Sequence, residues 1–188
     1  PYHAGLNKDT RERNQELFLK DETKIMAATI AFGMGINKSN VRFVVHMDMP
    51  KNIEGYYQET GRAGRDGLKS DALLFYTSAD YAKLAKFAEI DGNPQQTAIL
   101  LAKLGKMSRF CELTTCRRRH LLEYFGEKYA GGETCGSCDN CTKTIVRTDE
   151  TDLARTVIRA VRTLGGAFGV TTVADFLKGA ASSKYAGR

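Results

Sequence analysis

The stretch YYQETGRAGRDG, from Tyr56 to Gly67, sets one amide, Gln58, and two guanidiniums, Arg62 and Arg65, among glycines. Its carboxylates, Glu59 and Asp66, form no convincing acid–base pair, so chemistry there means gripping an anion rather than moving a proton. Gln58, Gly61, Arg62 and Arg65 fall at i, i+3, i+4 and i+7, which is one face if the segment is helical. Gly61 and Gly64 each weaken a helix by roughly 1 kcal/mol relative to alanine. They therefore call for the close approach of a phosphate or of another backbone. A surface helix whose arginines bridge to Glu59 or Asp66 is the plain structural alternative.

The second set of reactive side chains is sulfur. Cys135, Cys138 and Cys141 form C-x2-C-x2-C, and Cys116 precedes them by 18 intervening residues. Zinc takes four soft ligands tetrahedrally, and cysteines spaced by a tight turn can present two sulfurs to one ion. Cys116 opens a predicted helix, where the positive end of the dipole favours a thiolate. An iron–sulfur cluster is the chemical runner-up, but its bacterial pattern continues with a further cysteine and a proline, which CTKTI lacks. Cys111, five residues before Cys116, reads as a core or spare thiol. Five cysteines in a chain that does not open on a signal peptide argue for metal chemistry over a disulfide framework. Chelation is expected to unfold residues 79–142 and spare what precedes them.

The elements that must position these groups change character along the chain. Residues 24–32 (KIMAATIAF), 41–49 (VRFVVHMDM) and 71–77 (DALLFYT) read as apolar strands, with a polar helix over DTRERNQELFLK and another over NIEGYYQETGRAG, starting near the Asn52 cap. Near-continuous apolar strands separated by helices imply an α/β lobe with a parallel sheet buried on both faces. From Ser78 the pattern turns helical: SADYAKLAKFAEI with a serine cap, then PQQTAILLAKLGKMSRFCEL led by a proline suited to a first turn, then CRRRHLLEYFGE closing at Gly126. After the cysteines, DLARTVIRAVRTLGGAFGVTTVADFLKG reads as helix, glycine turn, helix, and the sequence reads as cut at both ends. The expected division is residues 1–78, 79–142 and 143–188.

Charge follows that division. The net charge of +6 comes entirely from residues 101–188, since the first hundred residues carry equal numbers of basic and acidic side chains. A basic module behind a neutral one suits a polyanion, most simply nucleic acid, although a solvated basic surface would look the same. No apolar run is long enough to span a bilayer, so no membrane partner is expected and an intracellular protein is the default; a monomer is expected.

Over residues 1 to about 142 the motifs resemble those of the RecQ family of superfamily-two helicases. QETGRAGRDG is similar to its motif VI, ATIAFGMGIN to its motif V, YHAGL to its motif IV region, and TCRRRHLLEYFGE with CGSCDNC to its zinc-binding module. The final helix pair resembles, more loosely, the start of its winged-helix domain. The resemblance implies an incomplete RecA-like lobe, a helical zinc-binding module and a truncated winged-helix domain. It also implies a part of an ATP-dependent enzyme that moves 3′ to 5′ on DNA and serves recombination and repair.

Carried over by motif, Arg65 would be the arginine finger, Arg62 a supporting phosphate contact, and Gln58 the link to lobe closure. Gly35 and Asn37 would face the cleft holding ATP and Mg²⁺, although many relatives have Asp where Asn37 stands. Thr29 would touch the DNA backbone, and Arg117, Arg118 and Arg119 would meet DNA phosphates, at most two of them serving one strand, the alternative being that they cover the zinc site and bridge to neighbouring acids. Cys116, Cys135, Cys138 and Cys141 would hold zinc. No G-x-x-x-x-G-K-[ST] or D-E-x-H occurs in the chain, so these residues alone are expected neither to hydrolyse ATP nor to unwind DNA. A zinc-containing nucleic-acid adaptor without catalysis is the competing class.

Overall fold

A computed structural model describes residues 1–30, 32, 38–89, 92–144 and 148–180. The chain forms two compact units, Pro1–Lys143 and Thr144–Arg188.

The first unit begins with α1 (Lys8–Leu19), started by Asn7, whose side chain accepts the Thr10 N–H at 2.8 Å. Phe18 is its buried anchor, with Leu17 half-buried beside it. Two short strands, β1 (Phe43–His46) and β2 (Asp71–Leu74), pair in parallel with Phe43 opposite Asp71 and His46 opposite Leu74. Between them runs α2 (Ile53–Thr60), capped by Asn52, whose Oδ1 accepts the Gly55 N–H at 2.7 Å. The parallel α/β order matches the expectation. Three details differ.

The apolar run at 24–32 makes only a bridge from Ala28 to Tyr2 among its described residues, because a strand needs a ladder and Tyr2 offers a single rung. Among the described residues the sheet is covered on one face only. Val44 and His46 face inward, while Phe43, Val45 and Leu73 are exposed. Finally, α2 stops at Thr60 instead of continuing through Gly64, with Gly61 as its C-cap.

Four helices follow. In α3 (Ser78–Ala88) the cap is Thr77 rather than Ser78, and the Thr77 N–H donates to Asp80 Oδ2 at 2.8 Å. In α4 (Pro94–Cys111) Pro94 occupies the first turn and Asn93 Oδ1 accepts the Gln96 N–H at 3.0 Å. Then come α5 (Arg117–Tyr124), with Gly126 at φ 80° just beyond it, and the single turn α6 (Asp139–Thr142).

The core crosses residue 78. Met49, Ile53 and Tyr56 from the α/β part pack with Leu104, Met107 and Phe110 of α4, and Leu121 and Tyr124 close over them. Each such side chain contributes about 1.5–3 kcal/mol by leaving water, so α4 is held by the α2 side of the molecule.

The second unit is a helical hairpin, α7 (Thr151–Thr163) and α8 (Val170–Leu177), closed by Gly165 and Gly166 at φ 74° and 72°. Its small core is Ala160, Leu164 and Val173, with Phe168 and Phe176 against it.

Candidate functional site

Sulfur first. Cys116 is the N-cap of α5 and its Sγ accepts the Arg119 N–H at 3.5 Å, while Cys138 is the N-cap of α6. Between Cys135 and Cys138 the backbone turns through Gly136 at φ 64°, where a side chain would be strained. That turn aims N–H groups at sulfur: Cys138 donates to Cys135 Sγ at 3.3 Å, and Cys135 donates to Cys141 Sγ at 3.4 Å. The Ser137 hydroxyl adds a third such contact, to Cys135 Sγ at 3.4 Å.

The Sγ atoms of Cys116, Cys135, Cys138 and Cys141 all lie within 4.8 Å of one another, and Cys135 and Cys141 are 3.9 Å apart. Tetrahedral ligation at about 2.3 Å places sulfurs about 3.8 Å apart, so the four fit one zinc ion. A cluster of several irons and sulfides needs its thiolates further apart than this.

The thiols do not titrate alike. Burial raises that of Cys135, but the Ser137 hydroxyl and the N–H groups of Ser137 and Cys138 outweigh it and bring it down to about 5. At Cys141 the donated Cys135 N–H favours the thiolate, yet burial and hydrogen bonds shared with the other sulfurs push it up to about 11. Four crowded thiolates need a divalent cation to ionise together. Cys111 stands outside the cluster, packed on the α4 core, and burial pushes its thiol up to about 11.

The residues between the last two cysteines tie the cluster to α4. Asp139 accepts from Arg117 Nε at 2.6 Å and Nη2 at 3.0 Å, and Arg117 Nη1 also donates to the Phe110 and Cys111 carbonyls at 2.6 and 3.3 Å. Asn140 Nδ2 donates to the Leu113 and Thr115 carbonyls at 2.6 and 2.8 Å. Of the three consecutive arginines, then, Arg117 is turned toward the cluster. Arg118 is exposed, and Arg119 lies on the surface with Glu123 at 2.7 Å.

The arginine stretch is a turn. Past Gly61 the chain coils through residues 61–67, with the Arg62 N–H on the Glu59 carbonyl at 3.3 Å and Arg65 Nε on the Gly61 carbonyl at 3.4 Å. Gly64 stands at φ 69°, and a Cβ there would meet Ser70 Oγ at 2.6 Å and the Leu68 carbonyl at 3.0 Å. Glycine is needed here because φ is left-handed and the Ser70 side chain and Leu68 backbone crowd the position. Gln58 therefore lies on the last turn of α2 and Arg62 and Arg65 on the turn beyond it, rather than all three along one helical face.

Both nearby acids have a partner on or just before β1. Glu59 Oε2 lies 2.6 Å from His46 Nε2, and both oxygens of Asp66 lie 2.6 Å from Arg42 Nη2. The Arg42 guanidinium holds the Asp66 carboxyl below the usual aspartate range. Neither Arg42 nor His46 was singled out from sequence. Their signal was the alternation Arg42, Val44, His46, which puts all three on the strand face that meets α2.

Thr29 is exposed, with its N–H on the Tyr2 carbonyl at 3.1 Å. Gly35 and Asn37 lie outside the described residues.

Fold and sites together define a parallel α/β lobe that carries an arginine turn and continues directly into a four-cysteine metal module. The family profile described as helicase conserved C-terminal domain matches residues 1–67, and the one described as RecQ zinc-binding matches residues 78–142. The chain is 47% identical to the ATP-dependent DNA helicase RecQ of Pasteurella multocida over 97% of its own length and 29% of that protein's. It is 43% identical to that of Bacillus subtilis, covering 97% of the chain and 31% of the relative. Against the ATP-dependent DNA helicase hus2/rqh1 of Schizosaccharomyces pombe the figures are 38%, 97% and 14%. The chain belongs to the RecQ family, and it spans less than a third of the length of these relatives.

Proposed function

We propose that this chain is the part of an ATP-dependent 3′–5′ DNA helicase that completes the nucleotide site from one side and supports DNA from the other. The observation that carries the reading is the arginine turn itself: two guanidiniums on a glycine turn fixed to the sheet, in a chain that aligns with named DNA helicases. Arg65 stabilises the charge that develops as the γ-phosphoryl group leaves ATP, Arg62 grips phosphate, and Gln58 on the last turn of α2 responds to closure of the lobe that holds Mg²⁺. Gly35 and Asn37 line the same cleft.

On the DNA side, Thr29 meets the backbone. Arg118 and Arg119 face outward and reach phosphates, while Arg117 holds the zinc module together. The cysteines keep zinc as a structural ion, whose binding supplies folding energy to residues with little apolar core of their own. The helical hairpin of the second unit begins a winged-helix domain. The phosphate-binding loop belongs to another part of the protein, and the isolated 188 residues hydrolyse no ATP.

In the full-length protein, Arg65→Ala should lower DNA-stimulated ATP turnover by about 10³-fold with little change in nucleotide affinity. Arg62→Ala should chiefly raise KM for ATP. Near wild-type turnover in both variants, or turnover by the isolated chain, overturns this assignment.

A further inference from the structure

Among the described residues, three ties join the turn that holds Arg62 and Arg65 to residues 41–46. Before the arginines, Glu59 meets His46 at 2.6 Å. Between them, the Gly64 N–H donates to the Val41 carbonyl at 3.0 Å. After them, Asp66 meets Arg42 at 2.6 Å. The His46 side chain is 10% exposed and that of Glu59 27%, so this pair is largely shielded from water. Its ring lies 5.3 Å from that of Tyr56, which in turn lies 5.3 Å from that of Phe110 in the centre of the core. One end of the strap is thereby fixed to the least movable part of the unit.

Packing alone does not account for a histidine here. His46 Nδ1 is buried without a hydrogen-bond partner, a cost that an apolar residue of similar size would avoid. What the imidazole provides instead is Nε2 aimed at Glu59, one residue after Gln58 and three before Arg62. Arg42 does the same at the far end of the turn, with one nitrogen shared between the two oxygens of Asp66. A turn anchored before, within and after its two functional side chains is held in place before any ligand arrives. Such preorganisation matters because misplacing a reacting group by about 1 Å can cost about 10²-fold in rate.

Building on the reading of Arg62 and Arg65 as phosphate ligands, we propose that His46 and Arg42 are positioning residues for them, acting through Glu59 and Asp66. They fix the arginine turn to β1 and its lead-in, and their loss slows the phosphoryl-transfer step without weakening the binding of nucleotide or DNA.

The test is made in the full-length protein, with ATP hydrolysis on single-stranded DNA as one readout and amide hydrogen exchange as the other. His46→Ala and Glu59→Ala should each lower kcat about tenfold with KM for ATP within about twofold, and the double variant should be no worse than either single. His46→Gln, which keeps a donor near the Nε2 position but not the ring, should recover most of the loss. Removing both ties, as in Arg42→Ala with His46→Ala, should multiply the two losses to about 10²-fold.

In the same variants the Gly64 and Gly67 amides should exchange about tenfold faster while those of Met107 and Phe110 are unchanged. An unchanged kcat in the alanine variants, KM rising as kcat falls, or exchange that quickens equally throughout the core would each overturn the proposal. If Arg65→Ala leaves turnover intact, the phosphate reading fails instead, and local exchange at Gly64 still decides whether the ties hold the turn.

Discussion

The cysteine cluster and the arginine turn are both tight loops built around a glycine with positive φ, Gly136 in one and Gly64 in the other. What holds each loop differs. The sulfurs of the cluster are organised largely by atoms of their own motif: the N–H groups of Cys135 and Cys138 point at sulfurs of the same short segment, and of the four cysteines Cys116 is the one that comes from further away. The arginine turn has local hydrogen bonds too, but the ties that fix it to the sheet come from far along the chain. Glu59 is 13 residues from His46, and Asp66 is 24 from Arg42. A metal module can carry its geometry in its spacing, whereas an arginine site has to take its geometry from the sheet beneath it.

The largest expected effect separates the two regions by removing metal. Binding to a structural four-ligand zinc site is worth about 10–16 kcal/mol near neutral pH, more than the few interactions around α5 and α6 can replace. Chelation should therefore unfold the cysteine loop and its neighbours. The core places the boundary of that unfolding later than residue 79, because Leu104, Met107 and Phe110 of α4 pack on Ile53 and Tyr56. Hydrogen exchange after chelation should show protection lost over residues 113–143 and kept around Met107. Loss of α4 together with the cysteine loop would mean that metal, not the shared core, holds α4.

That contrast also explains how much was legible in the sequence. The four ligands could be read directly, because C-x2-C-x2-C and a distant cysteine at a helix start contain the geometry they form. Asn52, Asn93 and Pro94 marked helix starts for equally local reasons. Gln58, Arg62 and Arg65 could be singled out, but their arrangement could not. Helical periodicity carried α2 through Gly61, whereas the backbone leaves the helix there because Gly64 bonds to Val41. A hydrogen bond across 23 residues leaves no trace in local spacing. The sheet was misread for a related reason: apolar runs such as FVV announce burial on both faces, yet Phe43 and Val45 are exposed here.

A smaller effect distinguishes neighbouring arginines. Arg117 donates to two carbonyls at the end of α4 as well as to Asp139, and Arg117→Ala leaves those acceptors short of a charged donor. Its expected cost is about 2 kcal/mol in unfolding free energy. Arg118 is exposed, so Arg118→Ala should change stability by less than about 0.5 kcal/mol. It should instead reduce the slope of log affinity for DNA against log salt by about one. Denaturant melts and salt titrations of both variants test this division. An unaltered slope for Arg118→Ala would make its surface incidental to DNA, and an unaltered midpoint for Arg117→Ala would remove the bridge between α4 and the cluster.

The smallest effect is the acid response of the arginine turn. Arg42 holds the Asp66 carboxyl below its ordinary value, so the folded state favours the ionised form. A carboxyl depressed in this way contributes fully at pH values above the unfolded aspartate range, near about 4. That contribution fades as the pH falls through the lower folded value. Between pH 7 and 5 the Gly64 and Gly67 amides should therefore exchange with unchanged protection, after correction for the intrinsic rate, and below about pH 4 that protection should decline. Asp66 is close to the surface, so the change is modest and weakened further by salt. Asp66→Asn, which keeps an oxygen for Arg42 but cannot ionise, should start with lower protection and lose the acid-dependent part of the decline. A variant that follows the parent curve would show that the turn is held without the tie at Asp66, leaving that tie without mechanical consequence.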